Sequence, residues 1–499
     1  MALPAGDFEK MGVDVMLQRF SGEFGLWHLR HLVLVSLAWL PNAFHTMVMI
    51  FADHEPAWRC TASCSGSLMS VCNLEPGSWE WVGGNGASIV SSFGLVCGDK
   101  YKIGLVQSAF FAGSLIGAGI FGHLSDSLLG RKGALTVVCV MNALFGFCTA
   151  VAPSYWVYFL LRFLTGISAG GVGLAAFVLA TEPAGPTKRG AVGMSTFYFY
   201  SVGLALLSCT AYFFRQWRSL YVVTSLPSLL YIVAALPFIS ESPRWLLVRG
   251  RISEALTVMG DMAKTNGNHL PNGVSLALDN QLLDYDNVSE NRVISGSLFD
   301  VIKSPLTRIR LILLLLINLA CSIGYYGLTL NAVNIGTDAY LNVFLNGVFE
   351  IPAYIFTTLI LGRCGRRTLV MGTMGISGTF CLLGSTMKGD GLFEGIRMFC
   401  GFMGIFGVAG TFNLLFIYAS ELFPTVVRNA ALGCVTQGGQ LGAILAPMVV
   451  VMGAELAFAV IGLCGVLGAI LSFYLPETLN KPLYDTMSGL ESAESDGVP

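Results

Sequence analysis

The chain has 499 residues and a net charge of −2, with 54% hydrophobic and 12% charged residues, whereas a typical soluble protein has about 25% charged residues. A soluble core cannot bury this much apolar surface, and a slightly acidic chain lacks the basic face that nucleic-acid binding requires. The composition therefore predicts a polytopic membrane protein and excludes a soluble enzyme and a DNA-binding protein.

Twelve apolar stretches follow along the chain, each long enough to cross a bilayer as a helix of about 20 residues. They are continuous runs, which favours helices over the ten-residue alternation of a barrel. The predicted fold class is all-α integral membrane with twelve transmembrane helices. No small-residue cleavage site follows the first stretch, so we expect it to stay as a signal anchor. The stretches lie near 31–51, 103–124, 134–152, 155–180, 190–213, 219–238, 311–330, 339–361, 368–387, 395–419, 430–453 and 456–475.

The distribution of Lys and Arg predicts the orientation of these helices. With the N-terminus in the cytosol, most of the 28 Lys and Arg residues fall on the cytosolic side, and both termini are cytosolic. The predicted regions are a cytosolic N-terminus (1–30), a first six-helix half (31–238), a cytosolic loop (239–308), a second six-helix half (309–475) and a cytosolic tail (476–499).

The outer loop between the first two stretches, residues 52–102, is rich in cysteine. Four cysteines in a small exported segment predict two disulfides, and all three pairings remain open. The alternative is four free thiols in a reducing compartment. We rank it lower, because the other cysteines are scattered through spans and short turns. The four residues are Cys60, Cys64, Cys72 and Cys97.

A turn containing Gly, Arg and a second basic residue occurs twice. Gly130-Arg131-Lys132 follows the second stretch and Gly365-Arg366-Arg367 follows the eighth. Two six-helix halves related by an axis along the membrane normal are typical of major facilitator transporters. A carboxylate at a helix C-terminus needs a positive charge nearby. We predict that Asp126 forms a latch with the N-terminus of a neighbouring helix and with Arg131 or Lys132, and that this latch breaks when the halves rock. The alternative, ordinary loop charges, explains Lys132 and Arg367.

Several longer motifs resemble the organic cation transporter branch of the major facilitator superfamily, and most of all its plant organic cation/carnitine transporters. The resemblance covers nearly the whole chain past residue 20, and it departs from the usual pattern at Ser127, where an Arg is usual. The motifs are Arg162-Phe-Leu-Thr-Gly166, Thr181-Glu182 with Lys188-Arg189-Gly190, Glu241-Ser-Pro-Arg-Trp245 and Glu421-Leu-Phe-Pro-Thr-Val-Val-Arg-Asn429. Together with the first turn they give a gating or coupling set: Asp126, Arg131, Arg162, Glu182, Arg189, Glu421 and Arg428.

Glu350 is the one acidic residue in the middle of a predicted span. A charged side chain at the bilayer centre costs about 2.5–3.5 kcal/mol on the insertion scale, which makes an intramembrane carboxylate a functional hypothesis. The alternative is a protonated, hydrogen-bonded packing residue. Animal organic cation transporters also carry Glu at the matching position, and the resemblance implies that Glu350 contacts the substrate or its gating network.

A cation in a low-dielectric cavity needs either a counter-charge or an aromatic face. The resemblance implies that Tyr325 and Tyr200 lie at cavity positions. Gln440 stands where cation transporters carry Asp and carnitine carriers carry Arg, and Asn318 stands where a cavity Trp is usual. We therefore expect strict specificity for neither class. The predicted substrate-binding residues are Glu350, Tyr325, Tyr326, Tyr200, Asn413, Phe416, Gln440 and Asn318.

The favoured function is secondary transport of a small organic cation or zwitterion, similar to carnitine, choline or a polyamine, by alternating access and with possible proton coupling. The alternatives are a carrier of a sugar or weak organic acid, and a membrane receptor or scaffold that transports nothing. No nucleophile–base pair or metal-ligand spacing occurs, so no catalytic residue, metal or cofactor is expected. The expected partners are the solute and membrane lipid, with no nucleic acid. The expected state is a monomer in the vacuolar membrane, with the plasma membrane as the alternative.

Overall fold

The computed structural model confirms the predicted all-helical membrane fold. Among the residues that it describes, twelve helices are long and apolar enough to cross a membrane. We number these helices spans 1 to 12. The described residues are 10–61, 71–74, 78–127, 129–271, 274–276, 298–332, 338–387, 389, 391–479 and 487–495.

The spans agree in number with the sequence prediction, and several begin earlier than predicted. The first half contains Leu26–Ala52, Cys97–Ser127, Gly130–Ala150, Tyr155–Thr181, Arg189–Phe213 and Trp217–Phe238. The second half contains Pro305–Asn331, Ala339–Leu361, Arg366–Thr386, Leu392–Leu422, Ala431–Val451 and Ala454–Phe473. Span 1 is built from the three consecutive helices Leu26–Ser36, Trp39–Met47 and Met49–Ala52.

Two short sheets and several short helices lie outside the spans. Strands Trp58–Cys60 and Trp79–Trp81 pair antiparallel in the outer loop, and strands Lys10–Met11 and Ser275–Leu276 pair parallel at the predicted cytosolic end, here called the inner end. The short helices are Val13–Met16, Leu17–Ser21, Val71–Asn73, Ile89–Phe93, Pro243–Val248, Ile252–Thr265, Leu298–Lys303 and Met487–Ser495.

The outer loop is disulfide-bonded, which confirms that part of the predicted fold. Cys72 and Cys97 form one bridge, with their Cα atoms 5.6 Å apart, and Cys97 begins span 2. Cys60 is also disulfide-bonded, whereas Cys64 lies outside the described residues. The loop is therefore tied covalently to the outer end of the helix that follows it.

Glycine allows spans 2 and 4 to pack with their backbones in contact. A Cβ atom at Gly117 would lie 1.9 Å from the carbonyl oxygen of Ile167, and one at Gly166 would lie 2.0 Å from that of Phe110. Small residues serve this purpose in membranes because lipid gives helices no hydrophobic drive to associate. The pairing fixes the position of Phe110, which lines the central cavity described below.

Several contacts between the two halves lie at the outer end. The Ser108 hydroxyl of span 2 donates to the carbonyl oxygen of Ile444 in span 11 at 2.7 Å. Tyr340, at the outer start of span 8, stacks on Phe51 of span 1 with ring centroids 5.3 Å apart. The Tyr340 carbonyl also accepts a hydrogen bond from Ser208 of span 5. These contacts close the outer end, and we call this arrangement the outer-closed conformation.

Candidate functional site

A cavity of about 220 Å³ lies between the halves, on the inner side of the contacts that close the outer end. Aromatic side chains from both halves form most of its wall. Phe111 and Tyr326 face each other across the halves, with ring centroids 4.7 Å apart. The lining includes Trp39, Asn42, Thr46, Phe110, Phe111 and Tyr200 from the first half, and Tyr325, Tyr326, Tyr354, Phe412, Phe416, Gln437 and Gln440 from the second.

Glu350 lies directly behind this wall and is fully buried. Its Oε1 atom accepts a hydrogen bond from the Tyr325 hydroxyl at 2.8 Å. Its Oε2 atom accepts hydrogen bonds from the hydroxyl of Ser201 and, at 3.4 Å, from that of Tyr354. Because Tyr325 and Tyr354 also line the cavity, a single layer of phenol hydroxyls separates the carboxylate from a solute.

The structure brings most of the predicted substrate-binding residues together at this cavity. Tyr200, Tyr325, Tyr326, Phe416 and Gln440 line it. The two predicted asparagines are buried outside its lining. The Asn318 amide donates to the carbonyl oxygen of Leu314 at 3.4 Å, and Asn413 has no hydrogen-bond partner for either amide atom among the described residues.

Sequence reasoning missed several cavity residues. Tyr354 follows Glu350 by four residues in span 8, so helical spacing alone would have placed both side chains on one face. Trp39 and Asn42 belong to span 1, where aromatic and amide side chains within an apolar run gave no distinctive signal. Ser201 reaches Glu350 from the opposite half, and no local pattern predicts such a contact.

Arg162 is buried in span 4, behind the cavity wall. Its Nη2 atom donates to the carbonyl oxygen of His45 at 2.9 Å. Its guanidinium lies 4.4 Å from the ring centroid of Phe110 and 5.6 Å from that of Tyr221. Nη1 has no hydrogen-bond partner among the described residues. Since Phe110 stands between it and the cavity, Arg162 is not part of the cavity lining.

A second buried carboxylate, Asp53, directly follows span 1. Sequence patterning assigns this residue to the outer loop, but only 2% of it is exposed. The Tyr158 hydroxyl donates to its Oδ1 atom at 2.6 Å, and the Gln107 amide donates to its Oδ2 atom at 3.3 Å. Burial raises the pKa of Asp53 to about 6, although these two donors and the charge of Arg162 lower it.

At the inner end, the predicted pair of Asp126 and Arg131 forms, and Glu182 joins it. Arg131 donates from Nε and Nη2 to the same oxygen of Glu182 at 3.1 and 2.9 Å, and from Nη1 to Asp126. The Asp126 side chain is 70% exposed and that of Glu182 is 17% exposed. Glu182 is therefore the stronger partner of Arg131, because water screens an exposed pair.

The second half repeats this arrangement with Arg366. Arg366 donates from Nε and Nη2 to one oxygen of Glu421 at 3.2 and 2.8 Å. The predicted set contained Arg428 instead, which donates to the carbonyl oxygen of Phe423 at 3.4 Å. The repeated Gly-Arg turn was the signal that would have identified Arg366. Arg189, also in the predicted set, pairs with Asp14 at 2.9 Å.

A distant glutamate covers the helix N-terminus at each of the two turns. Glu241 accepts from the backbone N–H groups of Arg131 and Lys132, and Glu477 accepts from those of Arg366 and Arg367. Burial raises the pKa of Glu477, but its backbone donors outweigh this effect, and the pKa lies below its usual range. The preceding glycine of each turn has a φ of 77°, a conformation that disfavours other residues.

The donor set of the site suits an organic solute and not a metal ion. Among the described residues, no group of three His, Cys, Asp or Glu side chains could hold a metal ion. The cavity combines one shielded carboxylate with aromatic faces and amides. This arrangement can neutralise a cation and contact its apolar surface.

Comparison with known proteins places the chain among transporters. Residues 84–488 match the family described as Sugar (and other) transporter. The chain is 60% identical to organic cation/carnitine transporter 4 of Arabidopsis thaliana over 98% of this chain and 93% of that protein. It is 31% identical to organic cation/carnitine transporter 2 of Homo sapiens over 94% of this chain and 92% of that protein.

Solved structures share the fold. The xylose transporter XylE from E. coli, in a partially occluded inward-open conformation, superposes with a TM-score of 0.68 at 17% identity, over 92% of this chain and all of that chain. A crystal structure of a D-xylose-proton symporter gives a TM-score of 0.65 at 15% identity, with 92% of this chain and 100% of that chain covered.

Proposed function

The chain belongs to the sugar (and other) transporter family of the major facilitator superfamily, and from this premise we propose that it carries small organic cations or zwitterions by alternating access. Its relatives are named as transporters and not as enzymes. The observation that carries the substrate class is the buried Glu350, held by three hydroxyl groups behind an aromatic cavity wall.

The cost of burying Glu350 argues for a binding role. An unpaired intramembrane charge costs several kcal/mol, and hydroxyl donors offset part of that cost. No cationic side chain of the protein hydrogen-bonds to Glu350 among the described residues. A substrate cation that approaches between Tyr325 and Tyr354 would supply the missing positive charge, and the tyrosine rings would provide cation–π contact.

The size and lining of the cavity restrict the solute. A volume of about 220 Å³ is below the roughly 300–1,000 Å³ that is usual for sites of drug-sized ligands. Gln437 and Gln440 line the wall and can hydrogen-bond a hydroxyl or carboxylate on the same solute. We therefore favour a compact cation with one polar end, such as a choline-like or carnitine-like molecule.

The same carboxylate offers a physical route to proton coupling. A proton and a cation cannot both neutralise the single charge of Glu350, so protonation should weaken cation binding and an arriving cation should displace the proton. This competition would permit proton–cation exchange. It would equally serve facilitated diffusion if the proton were not carried across.

The proposed location is the vacuolar membrane, with the plasma membrane as the alternative, and the proposed functional unit is a monomer. The support for the location is the resemblance of the chain to plant organic cation/carnitine transporters. A cavity built from the two halves of one chain supports the monomer, since no second copy is needed to complete it.

Uptake into proteoliposomes tests the proposed substrate class. Purified protein is reconstituted and offered a choline-like cation, a polyamine, carnitine and a hexose, with and without a pH gradient, and protein-free vesicles give the background. We expect uptake of at least one cationic or zwitterionic solute. Uptake of the hexose alone would contradict the proposal and favour a sugar carrier. No uptake of any solute would favour a receptor or scaffold.

A further inference from the structure

The outer end of the first half contains a polar network that cation binding at Glu350 does not use. Its centre is Asp53, which is buried against spans 2 and 4 by the hydrogen bonds from Gln107 and Tyr158. The Tyr158 hydroxyl also bonds to the Tyr221 hydroxyl of span 6 at 2.8 Å, and either oxygen can be the donor.

This network accepts both protonation states of Asp53 without movement of heavy atoms. When Asp53 is ionised, the Tyr158 hydroxyl donates to it. When Asp53 is protonated, its own O–H can donate to Tyr158, and Tyr158 can then donate to Tyr221. A buried carboxylic acid with a reversible chain of hydroxyl donors can therefore gain or lose a proton within a fixed packing arrangement.

The charged surroundings of Asp53 come mainly from span 4. Arg162 is near enough to interact electrostatically with the carboxylate, and its Nη1 atom has no hydrogen-bond partner among the described residues. The titratable and charged groups that face Asp53 are Tyr155, Tyr158 and Arg162 of span 4, Tyr221 of span 6, and His54 and Glu55 on its own segment, with Lys100 paired to Glu55.

A separate cavity of about 110 Å³ adjoins Asp53 at the outer end, between the two halves. Asp53, His54 and Gln107 line it from the first half. Among the described residues, the second half contributes uncharged residues to the lining, such as Leu330 of span 7 and Val450 of span 11. The outer-closed conformation thus encloses one small cavity between a carboxyl group of one half and apolar side chains of the other.

We propose that Asp53 is a proton-binding site, separate from Glu350, that links the pH of the outer compartment to closure of the outer end. Closure covers the cavity beside Asp53 with Leu330 and Val450 and so reduces its access to bulk water, and burial of an ionised group is costly. Protonation of the carboxylate therefore favours closure, and ionisation favours an open, hydrated outer end. The proposal rests on the alternating-access transport proposed above, to which it adds a second titratable group.

The test measures the accessibility of the outer end as a function of pH, without substrate. The Val450→Cys variant is labelled from the outer side with a membrane-impermeant thiol reagent between pH 5 and 8. Labelling at each pH is divided by that of the denatured protein, which corrects for the reactivity of the thiol, and the protein without this substitution gives the background. We expect corrected labelling to fall several-fold as the pH decreases.

Adding Asp53→Asn to the Val450→Cys variant should give low labelling of the thiol at every pH, because the amide mimics the protonated acid. The matched control is Glu80→Gln, an exposed outer-loop residue that pairs with Arg59, and it should follow the pH dependence of the unmodified outer end. Persistence of the full pH dependence in Asp53→Asn would overturn the proposal, as would the absence of any pH dependence before Asp53 is changed.

A second variant covers the case in which Asp53→Asn fails to reach the membrane. Tyr158→Phe keeps the ring and removes the hydroxyl that stabilises the ionised carboxylate, so the labelling midpoint should move upward by about one pH unit. An unchanged midpoint would overturn the proposal. Because the assay contains no substrate, its failure is distinct from failure of the uptake experiment.

Discussion

The carboxylate of Glu350 is held by residues of both halves of the molecule. Tyr325 and Tyr354 belong to the second half, and Ser201 belongs to the first. A cation that takes the carboxylate must compete with a hydrogen bond that helps to join the halves. Cation binding at this residue would therefore be coupled to the conformation of the whole protein, since a ligand shifts an equilibrium only by binding one state better.

Tyr325→Phe should weaken cation binding several-fold at pH 6 and less at pH 8. The ring remains for cation–π contact, but the ionised carboxylate loses a charge-assisted hydrogen bond, so protons compete more effectively. The measurement is equilibrium binding of a labelled organic cation. Tyr326→Phe is the matched control, because its hydroxyl does not bond to Glu350 among the described contacts. Equal effects of the two variants would rule out a specific role for the Tyr325 hydroxyl.

The sequence drew attention to Glu350 because a charge in the middle of an apolar run is conspicuous. The burial of Asp53 was not predicted, because this residue directly follows an apolar run, where a charge normally marks the start of a loop. Only the packing of spans 2 and 4 around it shows that it is buried. The two predicted amide residues show the same limit. Gln440 lines the cavity and Asn413 does not. The rotation of each helix about its axis decides this, and residue type alone does not reveal that rotation.

At the scale of elements, the inner ends of the two halves are built alike. In each half an Arg at the start of a span, Arg131 or Arg366, bonds to a Glu at the end of another span, Glu182 or Glu421. A further Glu covers the backbone N–H groups of the same turn. The repeat in the sequence predicted the two turns, but it did not show which acids from distant loops would reach them.

Glu182→Gln should lower the population of the outer-closed conformation more than Asp126→Asn does. An exposed ion pair contributes only about 0–1 kcal/mol, so Asp126→Asn should change the conformational equilibrium by about fivefold at most. Loss of the largely buried, charge-assisted bond to Glu182 should change this equilibrium by about tenfold or more. Cysteine accessibility from each side reports the populations, with Glu254→Gln, an exposed partner of Arg251, as the control. A larger effect of Asp126→Asn would contradict this ranking.

Glu477 should contribute to stability at neutral pH and lose that contribution in acid. Its pKa is lowered in the folded protein, so the contribution is fully present above the unfolded pKa of about 4.3 and disappears as the pH falls through the folded pKa. Glu477→Gln should lower the free energy of unfolding by about 1 kcal/mol at pH 7.

Thermal unfolding in detergent at pH 7 and pH 3 measures this effect. The difference in melting temperature between Glu477→Gln and the unmodified protein should be smaller at pH 3 than at pH 7. Asp261→Asn, at an exposed position of the helix Ile252–Thr265, is the control and should leave the melting temperature unchanged at both pH values. A difference in melting temperature of equal size at both pH values would show that the ionised carboxylate is not the stabilising form.

At the scale of the whole molecule, most of the architecture could be predicted from the sequence. The lengths of the apolar runs specify twelve spans, because a bilayer of fixed thickness requires about 20 residues for each. The Gly-Arg repeat specifies two halves. The conformation could not be predicted, because the contacts that close the outer end, such as Ser108 with Ile444, join residues that are distant in the chain.

The central claim is that Glu350 is the charge that binds the transported cation. Its most direct test is equilibrium binding of a labelled monovalent organic cation to purified Glu350→Gln and to the matched control Glu455→Gln, between pH 5 and 8. We expect at least a tenfold loss of affinity in Glu350→Gln at pH 8, with no remaining pH dependence from this site, and parental binding in Glu455→Gln. Parental affinity and an unchanged pH profile in Glu350→Gln would contradict the claim and leave Glu350 as a packing residue.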